Sequence, residues 1–419
     1  MQIVRAAKIM VSKENNTKPN TESFNGSFGF SVGGIYISVT DLILFAFLTA
    51  IALYVRFIMR NIVAGDYKMF FEPWVATLRQ AGGGIKGLAA EFEYVDYTTP
   101  YLTILSFISI CPFLNTLLLM KMVSIAFDFS AAFAMMAIVY HRTGKMQAAI
   151  LGYGALLLAP TVIANSSMWA QCDIIFTSFV LWSLYFMLKG RPKTSMIFYG
   201  IAFAFKLQTF FILPLYVIFW IKKKVKLWHF LFVPLMYIVG MIPALIAGKD
   251  FLELLTVYFF QAGGLMDIYA LSHKFPNIYQ LFGTDAFLIE YADAGIYVTL
   301  AALMAEMYIF ARKKYEFSDE LVLRMGMLFT MTVVFFLPHM HERYAILVDV
   351  LSIAYFFHDR NRLYIPVLTI LCSFAGYTIY LAQNNIMPMA VYTIIFISLM
   401  LDHGKYCLRA VCSPQKDTV

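Results

Sequence analysis

Residues 39–59, which read VTDLILFAFLTAIALYVRFIM, form a nearly unbroken apolar run, and Arg60-Asn-Ile-Val-Ala-Gly-Asp66 follows it directly. About 20 apolar residues are enough for a helix to cross the hydrocarbon core of a bilayer, so this run predicts the first membrane span. Asp66 is then a carboxylate at the mouth of an apolar bundle, which costs free energy unless the charge is paired or used. The sequence therefore marks Asp66 as a candidate functional residue.

The composition of the whole chain is typical of a polytopic membrane protein. Of its 419 residues, 61% are hydrophobic and only 14% are charged, and the mean hydropathy is +0.73. A soluble globule of this composition would have a mostly apolar surface. The formal net charge of +7 comes mainly from short basic clusters between apolar runs, and not from a continuous basic face that would bind nucleic acid. We expect a lipid bilayer, and no nucleic acid, as a partner.

The basic clusters predict which loops face the cytoplasm, because Lys and Arg are enriched in the loops on that side. They lie at residues 141–145, 189–193, 222–226, 312–314, 358–362 and 403–405. We expect an integral membrane protein with both termini in the cytoplasm and one all-α transmembrane domain, residues 37–402, of about twelve spans. Polar tails, residues 1–36 and 403–419, flank it. Two long outer loops are expected to carry helices that lie on the membrane surface. The first long loop is about residues 60–101 and contains Phe70–Leu78; the second long loop is about residues 248–290 and contains Phe251–Gln261.

Two apolar stretches do not fit a simple alternation of spans. We interpret Tyr101–Pro112 as an interfacial or re-entrant piece and about Leu114–Tyr140 as a true span. Ser195–Trp220 begins and ends beside basic clusters, so it predicts a pair of short helices whose tip carries Lys206 and Gln208. Interrupted segments with a charge at membrane depth are tolerated where they line a cavity.

With these sides assigned, four polar clusters share the outer face, as expected of a catalytic or transport site. They are Asp66 with Tyr67 and Lys68; Trp169, Gln171 and Asp173; Lys206 with Gln208; and His339, His341, Glu342 and Arg343. Each cluster has a structural alternative. Asp66 and Asp173 could cap the helices that follow them, and Lys206 could extend to the membrane interface. Residues 339–343 could form an ordinary salt-bridge loop.

Four strings carry a family resemblance. Gly65-Asp-Tyr67 with Pro73-Trp74 and Asp96-Tyr97-Thr-Thr-Pro100 is similar to the first outer loop of GT-C glycosyltransferases. Trp169-Ala-Gln-Cys-Asp173 resembles the Trp-Gly-Gln-Phe-Asp element of that superfamily, and Phe205-Lys-Leu-Gln208 resembles its Phe-Lys-Pro-Gln element. Pro338-His-Met-His-Glu-Arg-Tyr344 resembles its Pro-Arg-Met-His-Glu-Arg-Tyr element. The order matches over about residues 37–345, most closely in the bacterial PIG-V-like mannosyltransferase branch. Thr98-Thr99, Ala170, Leu207 and His339 depart from the family pattern. The sugar is not carried over, because members of this branch share these motifs and differ in donor and acceptor.

The resemblance implies an inverting transfer of a hexose, mannose-like or glucose-like, from a polyprenyl-phosphate sugar to a hydroxyl of a glycan or glycolipid outside the cytoplasm. Asp66 would be the general base, and Asp173 a second carboxylate that orients the acceptor or a histidine. The donor phosphate would be bound by Lys206, His339, His341 and Arg343. Substrate would contact Tyr67, Lys68, Asp96, Tyr97, Trp169, Gln171, Gln208 and Glu342.

No cofactor is required by this scheme, and the first long loop has no Asp-x-Asp pair, so we expect no metal. The closest resemblance favours a bacterial plasma membrane. Two other classes fit the same pattern. A secondary transporter or flippase also has broken helices and buried ions, and a polysaccharide polymerase or ligase would share the outer site but use a lipid-pyrophosphate donor.

Overall fold

The computed structural model describes residues 29–32, 35–262, 270–282 and 291–412, and this part of the chain is mostly helical. The α-helices are α1 Val39–Met59, α2 Glu72–Gln80, α3 Gly84–Gly87, α4 Thr99–Ser109, α5 Thr116–Thr143, α6 Met146–Leu157, α7 Pro160–Ile163, α8 Asp173–Leu188, α9 Pro192–Phe205, α10 Leu213–Ile221, α11 Phe232–Ile246, α12 Phe251–Ala262, α13 Ala292–Arg312, α14 Asp319–Phe336, α15 Ile346–Phe356, α16 Tyr364–Ala382 and α17 Met389–Cys412. The π-helical turns are Tyr67–Phe71 and Ala164–Met168, and the 3-10 turns are Leu207–Ile212, Leu227–Leu231, Ile278–Leu281 and Arg360–Arg362.

Two small sheets accompany the helices. Strands β1 Gly29–Val32 and β2 Ile35–Ser38 pair antiparallel, directly before α1. Strands β3 Ser272–His273 and β4 Met340–His341 pair in parallel and join the second long loop to the segment before α15. The prediction of a helical protein is therefore confirmed, with two short sheets that it did not include. Most of the predicted polar tail, residues 1–36, lies outside the described residues.

Several helices have the length and apolar composition of membrane spans. Five qualify among the described residues, and a sixth is added if α6 and the segment Pro160–Met168, bent by 50°, count as one span. The five are α1, α5, Leu227–Ile246, α13 and Arg360–Ala382. A membrane protein is thereby supported, while about twelve spans and the side that each loop faces stay predictions. At 11 residues, α4 is only about 16 Å long, too short to cross alone, in keeping with the interpretation of Tyr101–Pro112.

The N-terminal end of α1 is fixed by a capping box. The Ser38 hydroxyl accepts a hydrogen bond from the Asp41 amide at 3.1 Å, and the Asp41 carboxylate accepts one from the Ser38 amide at 2.9 Å. The two hydrogen bonds satisfy the backbone amides of Ser38 and Asp41, which have no partner within the helix. The helix therefore begins where the apolar run begins, as predicted.

A buried ion pair ties α1 to the bundle. Nε of Arg56 donates to Oδ2 of Asp128 at 2.9 Å, and Ser166 donates to the same oxygen at 2.6 Å. Both charged side chains are almost completely buried, so each needs the other to offset the cost of desolvation. Arg56 is therefore the counter-charge that the buried carboxylate of Asp128 requires.

Lys121 fixes the other end of α1. Its Nζ donates to the carbonyl oxygens of Met59 and Arg60 at 3.1 Å and of Ile62 at 2.6 Å. These carbonyls belong to the end of the helix, where backbone acceptors lack partners and a cation is favoured. The chain is thus held at the point from which it leads into Asp66.

The first long loop packs onto the bundle through one apolar face. Phe71, Trp74, Val75 and Leu78 are buried, although α2 also carries exposed polar residues. This spacing is that of an amphipathic helix, and it confirms the helix predicted at Phe70–Leu78. After α2 the chain turns through three glycines with positive φ and enters α3.

The predicted interruption near Lys206 is present. Helix α9 ends at Phe205, Lys206 is extended, with φ −155° and ψ 134°, and a 3-10 turn leads into α10. Thr98 donates to the carbonyl of Ala204 at 2.7 Å and so occupies part of the broken helix end. The break places the Lys206 side chain inside the protein, where it reaches Asp173 at the start of α8.

Candidate functional site

Asp66 lies just before the π-helical turn Tyr67–Phe71, and its side chain makes no capping hydrogen bond. The capping alternative is therefore wrong. Oδ2 accepts hydrogen bonds from Nε1 of Trp169 at 2.9 Å and from Nε2 of Gln171 at 2.6 Å, while Oδ1 accepts one from the hydroxyl of Tyr380. A carboxylate has about four acceptor positions, so the residues that the structure describes leave one open on Oδ1. The side chain is half-buried, and that position can reach a ligand.

The two donors on Oδ2 come from one distorted stretch of chain. It begins with the π-helical turn Ala164–Met168 and continues through Ala170, whose φ is +61°. Left-handed backbone at a residue with a Cβ costs about 1–3 kcal/mol and is common at functional sites. Here it brings Trp169 and Gln171, both buried, onto the same oxygen of Asp66.

Tyr97 orients the Gln171 amide. Its hydroxyl donates to Oε1 of Gln171 at 3.2 Å. Desolvation raises the pKa of the Tyr97 phenol well above its usual range, so the group keeps its proton and donates. Because the amide oxygen is occupied in this way, the amide NH₂ of Gln171 points to Asp66.

Asp173 has a different environment from Asp66. It is completely buried, and its carboxylate forms an ion pair with Nζ of Lys206, an ion pair with Nε of Arg343 at 3.3 Å, and a hydrogen bond with Asn165 at 2.9 Å. These three partners are side chains from three separate segments, so Asp173 is not a simple helix cap. Lys206 is also buried, and the alternative in which it extends to the membrane interface is wrong.

Arg343 connects the two carboxylates. Besides Asp173, it contacts Glu342 at 3.4 Å, and its guanidinium carbon lies 5.3 Å from the ring centre of Trp169, which donates to Asp66. Burial alone would lower the pKa of the Arg343 guanidinium, but Asp173 raises it, with smaller contributions from neighbours including Glu342, to well above its usual value. The group is therefore a permanent cation within the site.

The two predicted histidines have different contacts. His339 has φ +61°; its amide donates to the carbonyl of Leu271 at 2.9 Å, and its Nδ1 lies 2.7 Å from the carbonyl of Ala270. His339 thus anchors the second long loop. The ring of His341 stacks on that of His273, with centres 4.4 Å apart and an angle of 10° between planes.

Sequence reasoning missed four residues of the site. Two are tyrosines of α16, one is the last residue of β3, and one directly follows β3. Tyr380 donates to Asp66 and stacks on Trp169 at 4.2 Å, and Tyr377 contacts the edge of the same indole at 5.5 Å. His273 and Lys274 come from the second long loop. The i, i+3 spacing of the tyrosines in an apolar helix was a signal for a shared face, but aromatic residues in such helices are usually packing residues.

Among the described residues, three predicted residues lie outside the network around the two carboxylates: Tyr67, Lys68 and Gln208. The Lys68 side chain is 63% exposed and pairs with Glu72 at 2.9 Å, while Tyr67 is buried in the apolar packing of the first long loop. Asp96 is half-buried beside Tyr97. Gln208 is buried, and its amide oxygen has no partner among the described residues.

The side chains around Asp173 do not favour a thiolate nucleophile. Burial raises the pKa of the Cys172 thiol to about 11, so this cysteine, one residue before Asp173, is a neutral neighbour and not a thiolate nucleophile. Within residues 29–32, 35–262, 270–282 and 291–412, no three His, Cys, Asp or Glu side chains form a group that could hold a metal ion. The absence of a metal from the reaction stays a prediction.

The chain matches no protein-family model, and a comparison with curated proteins gives no match. The resemblance to GT-C glycosyltransferases therefore stays a prediction that depends on the four motifs, whose residues Asp66, Trp169, Asp173, Lys206 and Arg343 lie in one connected network.

Proposed function

We propose that this protein is an inverting hexosyltransferase of the GT-C type, with about twelve spans, that uses a polyprenyl-phosphate sugar. The observation that carries the proposal is the difference between its two central carboxylates. Asp173 has two cationic partners, whereas Asp66 has three neutral donors and no cationic partner among the described residues. A carboxylate without an ion pair, with one open acceptor position, is suited to take a proton.

In the proposed reaction, an acceptor hydroxyl oxygen forms a bond to the anomeric carbon of the donor sugar while the bond from that carbon to the phosphate oxygen breaks. The hydroxyl proton goes to Asp66, and the electron pair of the broken bond leaves with the prenyl phosphate. Attack from the face opposite the leaving group inverts the anomeric centre. A phosphate leaving group needs no proton, but its charge must be stabilised by cations or N–H donors.

Asp173 acts in this scheme as a positioning residue. It is buried, already accepts hydrogen bonds from Lys206 and Asn165, and forms an ion pair with Arg343, so its carboxylate has little capacity left for a substrate proton. Its role is to hold Lys206 and Arg343 at fixed positions beside Trp169 and Tyr97. This replaces the sequence-based role in which Asp173 orients the acceptor or a histidine directly.

The acceptor is a glycan or glycolipid hydroxyl, and the site faces away from the cytoplasm in a bacterial plasma membrane with both termini inside. These parts of the proposal follow from the loop charges and from the motifs. The transporter and polymerase classes differ from it in a measurable way, because neither predicts sugar transfer from a lipid monophosphate donor.

The test is a transfer assay with purified protein in nanodiscs, radiolabelled polyprenyl-phosphate hexoses and a membrane extract of the host as acceptor. Asp66→Asn should abolish transfer, since the amide cannot take the proton, while donor binding persists. The control is Asp250→Asn, because Asp250 is a carboxylate that caps α12 through the amides of Leu252 and Glu253, and an Asn oxygen can do the same. Substantial transfer by Asp66→Asn would contradict the base assignment. A folded wild-type protein without transfer from any such donor would contradict the proposed function.

A further inference from the structure

The described part of the second long loop, residues 270–282, is fixed against the segment that carries His341 and Arg343. Ser272 pairs with Met340 and His273 with His341 in parallel register, and His339 contacts the carbonyls of Ala270 and Leu271. The loop is thus a structural part of the site, although no residue of it appears among the four motifs.

The cations predicted to bind phosphate are already engaged. Lys206 and Arg343 both pair with the buried carboxylate of Asp173, and Arg343 also contacts Glu342. A substrate anion would compete with Asp173 for both of them. Removing a buried carboxylate from its cation is costly, so these two side chains are poorly available as the main anion ligands.

Lys274 is the contrasting cation. Its ammonium forms no hydrogen bond and no ion pair within the described residues, and its Nζ lies 5.0 Å from the ring centre of Tyr380, the residue that donates to Asp66. A cation–π contact of this kind contributes only about 0.5–2 kcal/mol, so a charged ligand can replace it. The backbone of Lys274 is left-handed, with φ +58°, a strained conformation for a residue with a Cβ.

Two imidazoles stand beside this lysine. His273 precedes it in the chain and stacks on His341, and Lys274 itself forms a backbone bridge with His341. Imidazole N–H groups and an ammonium are the donors that bind phosphate oxygens through charge-assisted hydrogen bonds.

We infer that Lys274, beside the stacked pair His273 and His341, binds the phosphate group of a prenyl-phosphate ligand; this inference rests on the proposed function for the identity of the lipid. Lys274 then lies on the phosphate side of the reacting carbon and Asp66 on the acceptor side, with Tyr380 between them. Lys206 and Arg343 keep the wall of the site in place.

The experiment measures binding of a short-chain radiolabelled prenyl phosphate to purified full-length protein in detergent, beside the corresponding prenyl alcohol. Lys274→Met should weaken binding of the phosphate about 10- to 100-fold, the effect of one charge-assisted hydrogen bond, and leave binding of the alcohol unchanged. Lys274→Arg should retain most of the affinity. The matched control is Lys249→Met, which removes a lysine of the same loop whose partners are Glu91 and Glu253.

Equal affinity of wild type and Lys274→Met for the phosphate would overturn the inference, as would a parallel loss of alcohol binding or a failure of wild type to bind prenyl phosphate. Excess inorganic phosphate and vesicles of phosphatidylglycerol serve as competitors. Displacement by these vesicles as effective as displacement by prenyl phosphate would assign the contact to bulk lipid headgroups and overturn the inference. Stronger competition by inorganic phosphate than by prenyl phosphate would also overturn it, because the ligand would then be free phosphate.

The proposed function and the inference fail separately. A wild-type protein that binds prenyl phosphate through Lys274 but transfers no sugar would contradict the glycosyltransferase proposal and leave the phosphate site supported. A protein that transfers sugar with the same donor affinity after Lys274→Met would support the function and overturn the phosphate site.

Discussion

The hydroxyl of Tyr380 donates a hydrogen bond to Oδ1 of Asp66, across a separation of 314 residues in the sequence. The same tyrosine ring stacks on Trp169, which donates to the other oxygen of Asp66. Helix α16 therefore contacts one oxygen of this carboxylate directly and supports the donor to the other oxygen. The motif resemblance ends at about residue 345, so a residue beyond it completes the environment of the proposed base.

Tyr380→Phe should lower the rate constant of sugar transfer about 10- to 100-fold, because the hydroxyl orients the Asp66 carboxylate and a misplacement of a reacting group by about 1 Å can cost about 100-fold in rate. The phenyl ring can keep its stacking on Trp169, so donor affinity should change little. Tyr377→Phe is the comparison, because its hydroxyl contacts Asn165 and not Asp66. Single-turnover rates measure the effect, and a Tyr380→Phe protein with the wild-type rate would show that this donor has no part in the reaction.

Asp173→Ala should destabilise the protein by about 3–5 kcal/mol, since it leaves Lys206 and Arg343 buried without their counter-charge. Chemical unfolding in detergent measures the change. The double variant Asp173→Ala with Lys206→Met should recover part of the loss, because one uncompensated charge is removed.

The control for that prediction is Glu72→Ala, which breaks the exposed pair with Lys68. An exposed ion pair contributes less than about 1 kcal/mol, so this variant should unfold nearly as wild type does. Equal stability of Asp173→Ala and Glu72→Ala would contradict the buried network described here.

Gly376→Ala should destabilise the contact of α16 with Lys274 of the second long loop and with Glu342 of the segment before α15. A Cβ at position 376 would lie 2.5 Å from the carbonyl oxygen of Lys274 and 2.5 Å from Cβ of Glu342, so the backbone must shift. Overpacking of this kind costs about 1–3 kcal/mol, and we expect weaker binding of prenyl phosphate as well.

Gly404→Ala in α17 is the matched control, since the nearest atom to its added Cβ would be Cδ1 of Leu328 at 3.9 Å. Alanine favours the helix by about 1 kcal/mol over glycine, so this variant should be as stable as wild type or slightly more stable. Unfolding and binding measured together on both variants check the prediction, and a neutral Gly376→Ala would show that α16 is not held as closely as the structure indicates.

Several features of the site could be derived from the sequence because each depends on a short stretch. The apolar run before Asp66, the amphipathic face that includes Trp74 and the break at Lys206 are local patterns of polarity, and the structure confirms all three. The capping alternatives for Asp66 and Asp173 were equally local, and they are wrong because distant side chains reach these carboxylates first.

The sequence by itself determined an apolar, helical, membrane-type protein and the four polar clusters, because hydrophobicity and charge act through residues that are near neighbours in the chain. Only the tertiary structure decided how those clusters are paired: within the described part of the chain, Asp173 pairs with two cations, Asp66 pairs with none, and Lys274 lies beside Tyr380. The reason is that an ion pair or hydrogen bond requires contact within a few ångströms, while the partners of Asp66 lie 103 to 314 positions away along the chain.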